Sequence, residues 1–184
     1  ITALKAYVQS QGVDLTIVGP EAPLALGIAD EFRKAQLKIF APTKQAARLE
    51  ASKIFSKDIM TKAGIRTARA QAFTQAADAL AYVERHELPV VIKADGLAQG
   101  KGVLIARSRD EAGRAIVDSM ERAVFGAAGK QVLIEEYLNG EELTVMAFTD
   151  GRMVAPMLPA QDHKRIGDGD TGLNTGGMGA YCPA

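Results

Sequence analysis

The sequence predicts a mixed fold, a parallel α/β layer followed by an α+β lobe. In the first stretch short apolar strands alternate with helical patterns, whereas later strand-like runs follow one another with hairpin turns between them. With 184 residues, 47% of them hydrophobic, the chain can fill the core of one ordinary domain or of two small ones sharing an interface.

The chain opens on a helical pattern near 1–11, with Leu4, Tyr7 and Val8 on one face, ahead of the apolar strand Leu15-Thr16-Ile17-Val18. The turn Gly19-Pro20, a helix over 24–35 and a short strand at Ile39-Phe40 complete the parallel layer. Thr43, after Pro42, caps a helix running through Arg48-Leu49, and Ser52 starts another whose stripe of Ile54, Phe55, Ile59 and Met60 ends at Gly64. This helix pair links two domains. Thr74 opens an alanine-rich helix to about Arg85, followed by the strand Pro89 to Lys93, the loop Ala94 to Gly102 and the strand Val103-Leu104-Ile105. Ser108 and Glu111 form a capping box for a helix reaching Ala123. Gln131 to Glu136, Leu143 to Phe148 and Met153 to Leu158 read as strands, and the turn signals Asn139-Gly140 and Asp150-Gly151 between them predict antiparallel pairing. From Gln161 to Tyr181 the chain is polar and glycine-rich, which predicts a binding loop rather than a packed element. It contains no internal repeat and no low-complexity tract.

Twenty-two basic and 22 acidic residues cancel, so no sequence-wide field favours nucleic acid or an anionic membrane, and any bound anion must be held locally. Cys182, the single cysteine, excludes an internal disulfide framework or a cysteine-based zinc site and fits a reducing cytoplasm. Two histidines far apart in sequence, His86 and His163, argue against a histidine-based metal site. No apolar run approaches a membrane span, and the amino end lacks the regions of a secretory signal. A cytoplasmic chain is expected.

Lys93 ends an apolar strand, and Gly96, Gly100 and Gly102 sit in the loop behind it together with Lys101. Glycines permit close backbone approach, their amides can point at phosphate oxygens, and a strand-end lysine supplies a compact charge. The spacing matches neither the P-loop nor the dinucleotide fingerprint, and on its own it fits a glycine-rich hairpin as well as a phosphate loop. Lys53 and Lys57 share a helix face, where an ordinary solvated flank is the better reading of the pair in isolation. In Ile134-Glu135-Glu136-Tyr137-Leu138, backbone groups past a strand end can pair with an adenine edge while Glu141 or Glu142 accepts ribose hydroxyls; a hairpin with charged turn residues is the competing reading. The segment Gln161 to Tyr181 mixes carboxylates, Lys164, amides and glycines that suit a small anionic or zwitterionic substrate, a set that a plain linker rarely carries. His163 within it reads equally as a solvated or a catalytic residue.

Taken together and in order, Ser52-Lys53, Val91 to Gly102, Ile134 to Glu142 and Gln161 to Arg165 through Asn174-Thr175-Gly176-Gly177-Met178-Gly179 resemble the phosphoribosylamine-glycine ligase (glycinamide ribonucleotide synthetase) family of the ATP-grasp superfamily. The resemblance covers essentially the whole chain, and its last segment separates this family from other ATP-grasp ligases. It implies an incomplete ATP-grasp fold preceded by part of a parallel-sheet domain. The implied division is 1–48 for the end of that first domain, 49–68 for linking helices, 69–130 for a small lobe with a glycine-rich lid, and 131–184 for the first part of a large lobe with a substrate loop.

The resemblance further implies a monomeric enzyme of purine synthesis that joins glycine to 5-phosphoribosylamine, ATP becoming ADP and phosphate by way of glycyl phosphate. Lys53 and Lys93 would bind ATP phosphates under the loop Gly96 to Gly102, including Gly100, Lys101 and Gly102. Glu135, Glu136 and Leu138 would line the adenine site, Glu135 and Leu138 through backbone groups, and Glu142 would take the ribose. Asp162, Lys164, Asn174, Thr175, Gly176 and Gly177 would meet the substrates, with Lys93, Asp162 and Lys164 closest to the chemistry and Glu21 a further contact. Phosphoryl transfer asks mainly for positioning and charge neutralisation, which lysines, amide-lined loops and magnesium supply, and a lid keeps water from an acyl phosphate.

Two positions depart from the family pattern, Leu173 in place of proline and Gln99 in place of alanine, changes that bear on loop stiffness. The resemblance also implies longer relatives, with a glycine-rich phosphate-binding turn before this segment and magnesium ligands after it. The chain opens within a helical pattern and stops on Pro183-Ala184, so it reads as a central piece. With those family parts outside it, the resemblance implies a piece that binds nucleotide weakly and does not turn over by itself. Another ATP-grasp carboxylate-amine ligase would use the same nucleotide residues on a different acid, and a non-catalytic nucleotide-binding module would have no use for the segment after Gln161.

Overall fold

The computed structural model describes residues 1–98, 101–169 and 171–184, and of Leu173 the backbone alone. They form two compact units, Ile1–Tyr137 and Leu138–Ala184.

The first unit begins with α1 (Thr2–Gln11), β1 (Thr16–Ile17), α2 (Glu21–Leu26), α3 (Ile28–Lys34) and β2 (Ile39–Phe40). The two short strands are parallel, Thr16 opposite Ile39 and Ile17 opposite Phe40, as the alternation of helix and strand predicts. Val8, Ile28 and Phe32 bury the helices against one another. The helix expected over 24–35 is two helices. Gly27 sits at φ +89°, a left-handed conformation that only glycine adopts easily, and its N–H closes α2 onto the Leu24 carbonyl at 2.9 Å.

Two capped helices follow, α4 (Lys44–Ala51) and α5 (Lys53–Lys62). Thr43 Oγ1 accepts from Ala46 N at 3.2 Å and Ser52 Oγ from Phe55 N at 3.1 Å, the N-caps that the sequence signals. The Arg48 guanidinium lies 3.9 Å from the centre of the Phe55 ring and ties the two helices together.

The rest of the unit is a four-stranded antiparallel sheet, β3 (Ala70–Phe73), β4 (Val90–Ala94), β5 (Val103–Ala106) and β6 (Val132–Glu136), in the order β3-β6-β4-β5. Helices α6 (Ala76–Glu84) and α7 (Arg109–Met120) cover one face, where Val83 and Ile116 meet Val90, Ile92, Val132 and Ile134. The Ser108 cap is present, its Oγ accepting from Glu111 N at 3.2 Å, although the Glu111 carboxylate reaches past Ser108 to Arg107 N at 2.7 Å. Helix α6 starts at Ala76, two residues later than Thr74 suggests, with no side-chain cap.

The sequence reading did not place β3, whose Ala-Gln-Ala-Phe has little strand character of its own and is held by its register with β6, Phe73 opposite Val132 and Ala70 opposite Glu135. Nor does the run Gln131 to Glu136 pair with Leu143 to Phe148, as the turn Asn139-Gly140 suggested. It is the inner strand β6, buried from Val132 to Glu135 and laddered to β3 and β4. A turn dipeptide biases only its local neighbours, whereas a strand apolar on both faces is satisfied by partners on both sides.

In the second unit β7 (Ala147–Thr149) and β8 (Val154–Pro156) form the hairpin expected around Asp150-Gly151, and Thr144 bridges Ala160. The segment expected as a loop is also a hairpin. Strand β9 (Gln161–Gly167) pairs with β10 (Thr171–Tyr181), with register shifts on either side of Asn174. Ladder bonds belong to the backbone, so a polar, glycine-rich chain can make them without a packed face.

A 3-10 turn at Gly126–Lys130 seats against α7. A Cβ on Gly129 would stand 2.4 Å from the Ser119 carbonyl oxygen, too close for any side chain. Gly129→Ala is therefore expected to lower stability by about 1–3 kcal/mol, read as a lower urea midpoint at unchanged slope.

Candidate nucleotide and substrate site

Strand alternation sets up the site. Along β4, Val90, Ile92 and Ala94 point into the core, which turns Val91 and Lys93 to the opposite face. Val91 lies opposite Glu135 and Lys93 opposite Leu133, so Lys93 and Glu135 are diagonal neighbours on that face. The Lys93 ammonium lies 2.6 Å from Glu135 Oε2. Lys57 reaches the same carboxylate from α5, 3.0 Å from Oε1. The Glu135 side chain is only 8% exposed, Lys57 11% and Lys93 28%. Lys57 also donates to Thr67 Oγ1 at 2.6 Å and to the Ala68 carbonyl at 2.9 Å, so its ammonium has three acceptors. Lys57 is thus no solvated flank. Its partner comes from a strand far along the chain, which the spacing of Lys53 and Lys57 cannot reveal.

Beyond β4, Asp95 joins the loop to α5. Its carboxylate accepts from Ser52 Oγ at 3.0 and 3.1 Å and from Ile54 N at 2.8 Å, while its carbonyl accepts from Lys53 N at 3.2 Å. Together Ser52 and Asp95 satisfy the free amides of the helix start. Lys53 donates to the Gly96 carbonyl at 3.1 Å. Gly96 in turn donates to the Ala128 carbonyl at 3.2 Å, and a Cβ there would meet Ala128 Cβ at 2.7 Å. The root of the loop is therefore wedged between α5 and the 3-10 turn. At its far end Gly102 accepts from Ala94 N at 2.8 Å, and Lys101 is exposed. Gln99 and Gly100 lie outside the described residues. Burial holds the Lys53 ammonium below the ordinary lysine range; Glu50 and Asp95 oppose this, and the nearby Lys93 charge adds to it.

The other first-unit candidates have other partners. Glu21 lines an apolar cavity of about 130 Å³ with Leu24, Pro42 and Leu97 of the loop. Glu136 accepts from Arg69 N at 2.8 Å and Arg69 Nε at 2.7 Å, which holds its carboxyl below the usual range.

The second unit carries its own polar cluster. Lys164 lies 2.6 Å from Glu142 and 3.9 Å from Asp162, and Thr144 Oγ1 donates to Asp162 at 3.4 Å. The Glu142 hydrogen bond raises the Lys164 ammonium above its ordinary value. Thr175 Oγ1 donates to the Lys164 carbonyl at 2.9 Å and accepts from Gly177 N at 3.0 Å, and Asn174 pairs with Arg165, so the hairpin brings Asp162, Lys164 and Asn174 to Gly177 together. Leu138 is exposed. Among the described residues no group of three or more His, Cys, Asp or Glu side chains is arranged to hold a metal ion, and no helix is long and apolar enough to cross a membrane.

A four-stranded antiparallel sheet with a strand-end lysine, a glycine-rich loop and a helical link to a parallel layer defines an ATP-grasp fold. A biotin carboxylase from Campylobacter jejuni, solved as a complex with β,γ-ATP, matches it with a TM-score of 0.76 at 18% identity, over 89% of this chain and 38% of that one, a likeness of fold alone. The family is narrower. The family model for the phosphoribosylglycinamide synthetase ATP-grasp (A) domain matches residues 51–184 and that for the N domain of the same synthetase matches residues 1–50, and the chain belongs to this family. The phosphoribosylamine-glycine ligase of Pasteurella multocida is 53% identical over all 184 residues, which span 43% of its length. A crystal structure of phosphoribosylamine-glycine ligase from Thermotoga maritima is 37% identical with a TM-score of 0.78, over 91% of this chain and 41% of that one. The chain thus spans less than half the length of either of these ligases.

Two outcomes are expected. Asp95→Ala, which strips the acceptor from Ser52 Oγ and Ile54 N, should cost about 1–3 kcal/mol in urea unfolding, with Asp95→Asn intermediate. Lys53 should acylate at lower pH than Lys34, whose ammonium the Glu31 hydrogen bond raises, as site-resolved mass spectrometry would show. The sign for stability is fixed: between the lowered folded value and the ordinary 10.5, the unfolded chain holds a proton that the folded one has shed, so Lys53 makes stability rise with pH across that window.

Proposed function

We propose that this chain supplies the nucleotide grip and part of the substrate pocket of an enzyme that ligates glycine to 5-phosphoribosylamine, with ATP converted to ADP and phosphate. The observation that carries the reading is the convergence of Lys53 and Lys93 at the root of the glycine-rich loop, in a chain whose family members bear the name phosphoribosylamine-glycine ligase. Residues 69–130 act as the small lobe and its lid, here extended by β6 because that strand pairs with β3 and β4, so the large lobe expected over 131–184 begins at Leu138 instead.

In this reaction the glycine carboxylate takes the γ-phosphoryl group, and the ribosylamine nitrogen then displaces phosphate from the glycyl carbon. Lys93 and Lys53 bind phosphate oxygens, and the loop Gly96 to Gly102 closes over them. Glu135, Glu136 and Leu138 border the adenine, and Glu142 meets the ribose. Asp162, Lys164 and Asn174 to Gly177 orient the glycine and the sugar phosphate amine, with Glu21 a further substrate contact. Magnesium, when bound, would supply neutralisation of phosphate charge, and the proposal places its ligands outside this chain. A monomer in the cytoplasm completes the proposal.

The test is ADP release by the full-length protein that carries this chain. Release should require glycine and phosphoribosylamine together, and Lys93→Ala should lower kcat/KM by at least about 100-fold. The 184-residue chain alone should bind nucleotide without turnover. ADP release that ignores glycine would point to another ATP-grasp ligase, and binding with no turnover in the full-length protein to a non-catalytic module.

A further inference from the structure

The two lysines on Glu135 are not equivalent. Lys57 fills its three donor positions with Glu135, Thr67 and the Ala68 carbonyl, and is almost wholly buried. Lys93 has one partner among the described residues, Glu135, and is more than twice as exposed. A buried carboxylate stripped of all its cations is strongly unfavourable, so a lysine that alone neutralised Glu135 could not leave it for a phosphate. With Lys57 in place it can. We infer that Lys57 is a positioning residue that keeps Glu135 neutralised and so frees the Lys93 ammonium to swing between the carboxylate and a nucleotide phosphate.

The geometry assigns the roles one way only. Lys57 is anchored by α5 and by the chain just before β3, where Thr67 Oγ1 and the Ala68 carbonyl hold its ammonium. Lys93 stands at the strand end beside the loop root, where Ala94 and Asp95 lead into Gly96. Glu135 is fixed inside the sheet between Ala70 and Val91, so the carboxylate stays while the lysine moves. In a Lys57→Met chain Glu135 would retain a single cation, and Lys93 would be held on it.

This rests on Lys93 binding phosphate, and the experiment separates the two ideas. ATP affinity of the full-length protein is measured by calorimetry without glycine, alongside thermal unfolding, for the native sequence, Lys57→Met, Lys57→Arg and the double variant Lys57→Met with Glu135→Gln. Lys57→Met should weaken ATP binding by at least about tenfold, Lys57→Arg should recover much of it, and neutralising Glu135 in the double variant should recover affinity because Lys93 is no longer trapped. A purely structural lysine would lower the unfolding temperature of Lys57→Met, leave ATP affinity of the folded protein unchanged, and show no recovery in the double variant, which overturns the inference. A native protein that binds no ATP overturns both the nucleotide reading and the inference, whereas native binding that Lys57→Met leaves intact overturns the inference alone.

Discussion

The structure of the candidate site depends on one buried charge. Glu135 stands in the inner strand of the sheet, with neighbours on both sides, where an ionised carboxylate without partners would be several kcal/mol unfavourable. It is tolerated because both oxygens meet ammonium groups. That requirement places the lysines: one must come from β4 two residues along from the position facing Glu135, and the other must come from a helix laid on the face away from the core. Pairs of this kind add little net stability compared with apolar residues of the same shape, so the arrangement is better understood as specifying where charges stand than as holding the sheet together.

Asp95 makes the second connection from the same strand. It follows Lys93 by two residues, so the alternation that turns Lys93 toward α5 continues into the loop and brings Asp95 to the start of that helix. The helix start is satisfied by Ser52 from its own chain and Asp95 from the loop, and Lys53, the next residue, is thereby set against Gly96. A shift of α5 would thus move Lys53, Lys57 and the loop root together. Gly96 and Gly129 give the other side of the wedge, since neither position leaves room for a methyl group.

Much of this was legible in the sequence, for physical reasons that differ by element. Caps at Thr43, Ser52 and Ser108 are local devices and were found where the sequence signals them. The parallel pair β1 and β2 and the strands β4 and β5 announce themselves by apolar runs. Strand β3 did not, because its conformation is imposed by β6, and the pairing of β6 was misread because a turn signal at Asn139-Gly140 was weighed above the burial of both its faces. The glycine-rich hairpin β9 and β10 was hidden for the opposite reason: its ladder rests on backbone bonds, which leave no apolar periodicity. At the site, Lys53, Lys93 and Glu135 were singled out by motif, but Lys57 and Asp95 were not. One shows only a second basic residue on a helix face, the other an acid in a turn, and their partners are long-range.

The two lysine-carboxylate clusters differ in what they allow. In the second unit Lys164 meets Glu142 at 2.6 Å, as close as Lys93 meets Glu135, yet Lys164 is 46% exposed and Glu142 70%. Exposed pairs contribute about 0–1 kcal/mol, so water can replace either partner and the pair opens readily for a ligand hydroxyl or carboxylate. The buried pair cannot open that way, because water is not at hand to solvate Glu135. An exposed site can therefore be selected by ligand contacts alone, whereas a buried one needs a standing counter-ion before any group in it can move. In the buried cluster the two cations on Glu135 differ in just this respect, the Lys57 side chain being 11% exposed and that of Lys93 28%.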